Sequence, residues 1–96
     1  MRVKYTLPAA ADLDHVLDYL KQHSPQGARN VQQRIKAIER LLSHFPLSGS
    51  PTRLPWLRRI VATPYPYLIF YEVTGEDVII HAVRHGMRDP ETMPGG

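Results

Sequence analysis

The sequence predicts an α+β fold built from an N-terminal strand, an antiparallel two-helix hairpin and a C-terminal three-stranded antiparallel meander. Three observations predict it. Residues 2–6 alternate apolar and polar side chains, residues 7–45 hold two stretches with apolar positions every three or four residues, and three apolar runs rich in β-branched and aromatic side chains follow residue 57. At 96 residues the chain is expected to form one domain, with a single small core.

Each element has a local cause. In "RVKYT", Val3 and Tyr5 alternate with Arg2, Lys4 and Thr6, the period of a half-buried strand. Thr6 can cap a helix with Pro8 in its first turn, and Leu13, Val16, Leu17 and Leu20 then line one face opposite Asp12, Asp14 and Asp18. In "HSPQG", Ser24 is a cap and Pro25 a first helical residue, so a second helix follows after a very short link. Its apolar stripe is Ala28, Val31, Ile35, Ile38, Leu42 and Phe45, Pro46 ends it, and Arg29, Gln32, Gln33, Lys36 and Arg40 cover the outside.

Residues 46–57, "PLSGSPTRLPWL", have three prolines, one glycine and no period, and read as a surface loop. The strands "RRIVAT", "YLIFYEV" and "DVIIHAVRH" close the fold, the last two joined by "TGED", with Gly75 expected to supply a positive φ. With the N-terminal strand they are expected to make a four-stranded antiparallel sheet. Both alternating sets of these strands are apolar: Tyr67, Ile69, Tyr71 and Val73 against Leu68 and Phe70, and Val78, Ile80 and Ala82 against Ile79, His81 and Val83. Two helices cover only one face, so the other needs cover from Leu54, Trp56 and Leu57 of the loop or from a partner chain.

Composition limits the chemistry. There is no cysteine, hence no disulfide framework or thiolate metal site, and a cytoplasmic location is expected. No run approaches a membrane span, so no membrane partner is expected. The net charge is +3, yet Arg29 to Arg59 holds seven cations against the one acid Glu39. Such a run is either a solvated face or a surface for an acidic partner. The five histidines form no helical i, i+4 pair, so no metal site is expected, nor any cofactor.

The segments "LRRI", "PYLIFYEV" and "VIIHAVRHGMRD", after a strand and a helical hairpin, resemble the RelE/ParE family of toxins from bacterial type II toxin-antitoxin pairs over residues 2–89. The resemblance implies a cognate, ParD-like antitoxin in a hetero-oligomer, wrapping the toxin and covering the second sheet face. Operator DNA would then be met only through the antitoxin. The RelE-like branch cuts mRNA on the ribosome and needs an acid and a base beside its phosphate-binding cations; the ParE-like branch binds DNA gyrase and cuts nothing. Here no Lys follows Lys36, no Glu lies between Glu39 and Glu72, and no Tyr follows Tyr71. Arginine is a poor base, which leaves His85 as half of a pair.

The ParE-like reading follows: no catalytic residues, target binding at Arg58, Arg59, Arg84, His85 and Arg88, and antitoxin binding at Leu54, Trp56, Leu68, Phe70, Ile79 and His81. Arg58 and Arg59 alternate along a strand, so at most one of them can join Arg84. One alternative is a ribosome-dependent mRNA endonuclease using His85, Arg84, Arg58 and Arg88. Another is a non-toxic domain that only joins its antitoxin in a repressor complex.

Overall fold

The computed structural model describes residues 1–87 and 93–94. Its elements are β1 (Arg2–Tyr5), α1 (Leu7–His23), α2 (Pro25–His44), β2 (Ser50–Pro51), β3 (Leu57–Val61), β4 (Tyr67–Val73) and β5 (Asp77–His85).

The helix ends follow from their caps. The Thr6 hydroxyl accepts from the Ala9 amide at 3.1 Å, satisfying a donor that has no partner within α1. Ser24 serves two helices: its amide donates to the Leu20 carbonyl to end α1, and its Oγ accepts from the Gly27 amide at 3.0 Å to begin α2. One residue therefore separates the helices, and the chain turns back as a hairpin. Phe45 departs from expectation. It is the C-cap of α2, past the helical backbone, and stays exposed instead of extending the buried stripe.

The sheet runs β1-β5-β4-β3-β2 and is mixed, not wholly antiparallel. β1 pairs parallel with β5, placing Val3 beside Val78, while the other pairs are antiparallel. A parallel pair needs a long crossover; the helical hairpin and the meander together provide one. The loop after α2 contributes a two-residue edge strand in which Pro51 costs no ladder bond at the sheet's outer side. The β4–β5 turn needs no left-handed glycine. Gly75 does not adopt a positive φ, because Thr74 closes the turn: its amide donates to the Asp77 carbonyl at 2.8 Å and its Oγ1 accepts from the Asp77 amide at 2.9 Å.

A register shift changes the face assignment of β5. Phe70 pairs with Ala82 but the next residue, Tyr71, pairs with Ile80, so His81 is the extra residue of a bulge. Past it the alternation inverts. Val83, not Ala82, joins Val78 and Ile80 in the main core with Leu17 of α1 and Val31, Ile35, Ile38 and Leu42 of α2. Ala82 turns to the opposite face, where it packs with Leu57 and Phe70, flanked by Leu68 and Met93. The second face is thus partly covered by the chain itself, through Leu57 at the start of β3 and Met93 of the tail.

Candidate functional site

The tip of β5 is built at the point where β1 runs out. Thr6 makes the last link on that edge, its amide donating to the Ile80 carbonyl at 3.0 Å, and α1 then replaces the strand. Asp12 on α1 accepts the Val83 amide at 3.0 Å through Oδ2, and the same oxygen takes the Arg84 guanidinium. Arg84 is therefore held by a carboxylate 72 residues away in sequence, with both side chains 24% exposed.

His85 is fixed by a different contact. Its Nδ1 accepts the Met87 amide at 3.0 Å, and its ring meets Tyr67 edge-on at 5.5 Å between centroids. An amide can only donate, so in the neutral ring the proton sits on Nε2. That nitrogen can give a hydrogen bond, but it cannot take a proton while the Met87 contact persists. Burial, and then the charge of Tyr19, push the Tyr67 hydroxyl above the ordinary tyrosine range, so it too is a neutral donor at physiological pH.

Asp12, His15, Val16, Val83, Arg84 and His85 line a cavity of about 90 Å³. His15 is a lining residue that the sequence did not single out. The signal was local: it lies three positions after Asp12 and so shares that helix face.

The remaining target-binding candidates separate. Arg58 pairs with Tyr71 across the ladder, and its Nη2 donates to the Leu47 and Gly49 carbonyls at 3.2 and 2.8 Å. Its Nε is buried with no partner among the described residues. Tyr71 completes the clamp: its Oη donates to the Pro46 carbonyl and accepts the Gly49 amide, each at 2.8 Å. Arg58 is thus a strut that fastens the loop to the sheet through its Nη2. Arg59 lies on the other face, opposite Phe70, and is exposed. Arg84 pairs with Leu68, two strands and two residues away, which puts the two arginine Cα atoms about 12 Å apart. They can share an extended acidic surface better than a single phosphate. Arg88 lies outside the described residues.

On the second face, His81 Nε2 and Glu72 Oε1 are 2.9 Å apart, and Trp56 meets the His81 ring edge-on at 5.3 Å. Trp56 is 50% exposed, Leu54 is exposed on the loop, and Leu68, Ile79 and His81 are half-buried. Phe70 is 1% exposed, so it supports this surface from beneath and does not present itself to a partner.

Residues 3–90 match the family described as the ParE toxin of the type II toxin-antitoxin system parDE. Toxin RelE2 of Caulobacter vibrioides is 36% identical over 87 residues, covering 91% of this chain and 97% of that protein. Y4kP of Sinorhizobium fredii, a toxin candidate by name, is 34% identical over 84 residues, covering 88% of this chain and 86% of its own. Among solved structures, a chain of the chromosomal ParDE TA system from P. aeruginosa superposes with a TM-score of 0.75 at 26% identity, covering 88% of this chain and 95% of that one.

Proposed function

Since the chain belongs to the ParE toxin family of type II toxin-antitoxin systems, we propose that it acts without catalysis, by binding and inhibiting DNA gyrase in the cytoplasm, and that a ParD-like antitoxin silences it. The observation that carries this reading is the state of His85. With Nδ1 accepting the Met87 amide, the imidazole is a hydrogen-bond donor and lacks the free lone pair of a general base. Arg58 turns its Nη2 to two loop carbonyls. What the β5 tip offers a target is a rim of Arg59, Arg84 and a donating His85. The antitoxin is assigned to the second face, around Trp56, Leu68, Ile79 and His81, where an aromatic side chain stands half-exposed beside half-buried aliphatic ones.

The test is a supercoiling assay with purified gyrase, run beside a ribosome-dependent mRNA cleavage assay. Inhibition of supercoiling with intact mRNA is the expected result, and adding the antitoxin should reverse it. A second reading, endonuclease action, is favoured by one observation: His15 and His85 line the same cavity as Arg84, which places a second imidazole beside the first. Message cleavage abolished by His15→Ala and by His85→Ala alike would establish that reading and remove the first.

A further inference from the structure

The outer face of α2 has a charge pattern that neither the β5 tip nor the second sheet face uses. Arg29, Lys36 and Arg40 are all exposed, and at 100° per residue they fall within an arc of about 40°. They form a straight row about 16 Å long, with Gln33 beside it. The one acid on α2, Glu39, lies off this row; it is half-buried and accepts the Tyr5 hydroxyl at 2.6 Å. Among the described residues, Lys36 and Arg40 make no ion pair, and the Arg29 contact is to the neutral Gln26 side chain at 2.7 Å. Lys36, Arg40 and Ser43 also line a shallow groove against Val3 of β1, together with Glu39, whose carboxylate is turned to the Tyr5 hydroxyl. The exposed acids Asp14 and Asp18 belong to the other helix. Three aligned, exposed cations without internal partners leave their charge open to an acidic partner, and the row is rigid because Val31, Ile35, Ile38 and Leu42 anchor the opposite face of α2 in the core.

We propose that this row is a sequence-independent contact for the sugar-phosphate backbone of duplex DNA. Positioning contacts to phosphates come from arginine, lysine and glutamine side chains, the types present here. A single strand would call for aromatic side chains interleaved with the cations to stack its bases, and between Gln26 and His44 α2 has none. The duplex is then touched by this chain directly, in contrast to the expectation that DNA is met only through an antitoxin. The inference does not depend on whether gyrase or mRNA is the cellular target.

The test is fluorescence anisotropy of a labelled random-sequence duplex titrated with the purified chain across salt concentrations. Three phosphate contacts predict an affinity loss of roughly 40-fold between 50 and 200 mM salt. Lys36→Ala/Arg40→Ala should weaken binding at least about tenfold at low salt and flatten the log-log salt slope by about 2. Lys21→Ala/Arg53→Ala removes the same charge from exposed positions off the row and should stay within about twofold of the parent; thermal melts confirm that both variants fold. Equal losses in the two double variants would reduce the effect to net charge and overturn the proposal. It is also overturned if the parent does not bind the duplex at 50 mM salt, or if single-stranded RNA or polyglutamate of equal length binds more tightly.

Discussion

The loop clamp at Arg58 and the tip of β5 at Arg84 use the same ingredients, an arginine, a tyrosine and a glycine, and put them to different uses. At the clamp, Arg58 and Tyr71 spend their donors on the backbone carbonyls of Pro46, Leu47 and Gly49. Gly49 sits so close beneath that a Cβ there would lie 2.6 Å from Tyr71 Oη and 2.7 Å from the Arg59 carbonyl. At the tip, Arg84 meets one partly exposed carboxylate, Tyr67 touches His85 by its ring edge, and a Cβ on Gly86 would lie 3.3 Å from the Pro66 carbonyl. Backbone acceptors fixed by chain geometry make a closed structural site. Side-chain acceptors at the end of a strand leave groups that can still exchange partners, which is what a binding surface needs.

Four measurements test that contrast. The largest effect is expected at Gly49. Gly49→Ala forces atoms into contacts shorter than van der Waals separation and should cost about 3 kcal/mol in urea denaturation, whereas Gly86→Ala should cost less than about 1 kcal/mol. Similar losses at both would mean the tip is as closed as the clamp.

Arg58→Ala comes next. It leaves two loop carbonyls without their donor and should destabilise by about 2 kcal/mol, with toxicity falling only as far as folding does. Arg84→Ala should cost no more than about 1 kcal/mol of stability, since its ion pair is partly solvated, yet lower toxicity beyond that loss. A melt and a growth assay on the same pair of variants separate the two roles.

The third is a pH profile. Burial, reinforced by Glu39 for Tyr5 and by Tyr19 for Tyr67, raises both hydroxyls in the folded chain above the unfolded tyrosine value. Each folded pKa is the higher one, so the stabilisation is fully present below about pH 10 and is lost as pH rises through the folded values. Denaturation midpoints of the parent should fall above pH 10, and those of Tyr5→Phe/Tyr67→Phe should fall less steeply. An unchanged alkaline slope would show that neither hydroxyl is held in its protonated form.

The smallest effect is expected at His85. His85→Gln retains a side-chain donor near the position of Nε2, so toxicity should change by less than about threefold, against the roughly 10² to 10⁴ in rate expected from losing an acid or base catalyst. Growth curves under controlled expression give the answer, and a loss of a hundredfold would transfer the tip from binding to catalysis.

The features legible in the sequence were those decided within a few residues, apart from the β4–β5 turn, which Thr74 closes without a left-handed Gly75, and Phe45, which caps α2 outside the core. Thr6 and Ser24 cap helices through amides three positions on, Pro46 stops α2, and the 3.6-residue period selects Val31, Ile35, Ile38 and Leu42 for the core. The basic end of β5 and the apolar character of both sheet faces were likewise legible. Tertiary structure decided what depends on partners distant in the chain. Nothing near His81 announces a bulge, because the shift exists only in the pairing of β5 with β4, and it alone moves Val83 into the main core and Ala82 out of it. The parallel pairing of β1 arises from where the chain arrives after its crossover. Arg58 and Arg84 read alike in sequence; one became a strut because the loop laid two carbonyls within its reach, and the other became part of a rim because α1 ends the β5 edge with Asp12. Local hydrogen bonds close over three or four residues and leave their mark on composition, whereas contacts across 70 residues depend on how strands are ordered, and the strand order is settled only when the whole sheet has assembled.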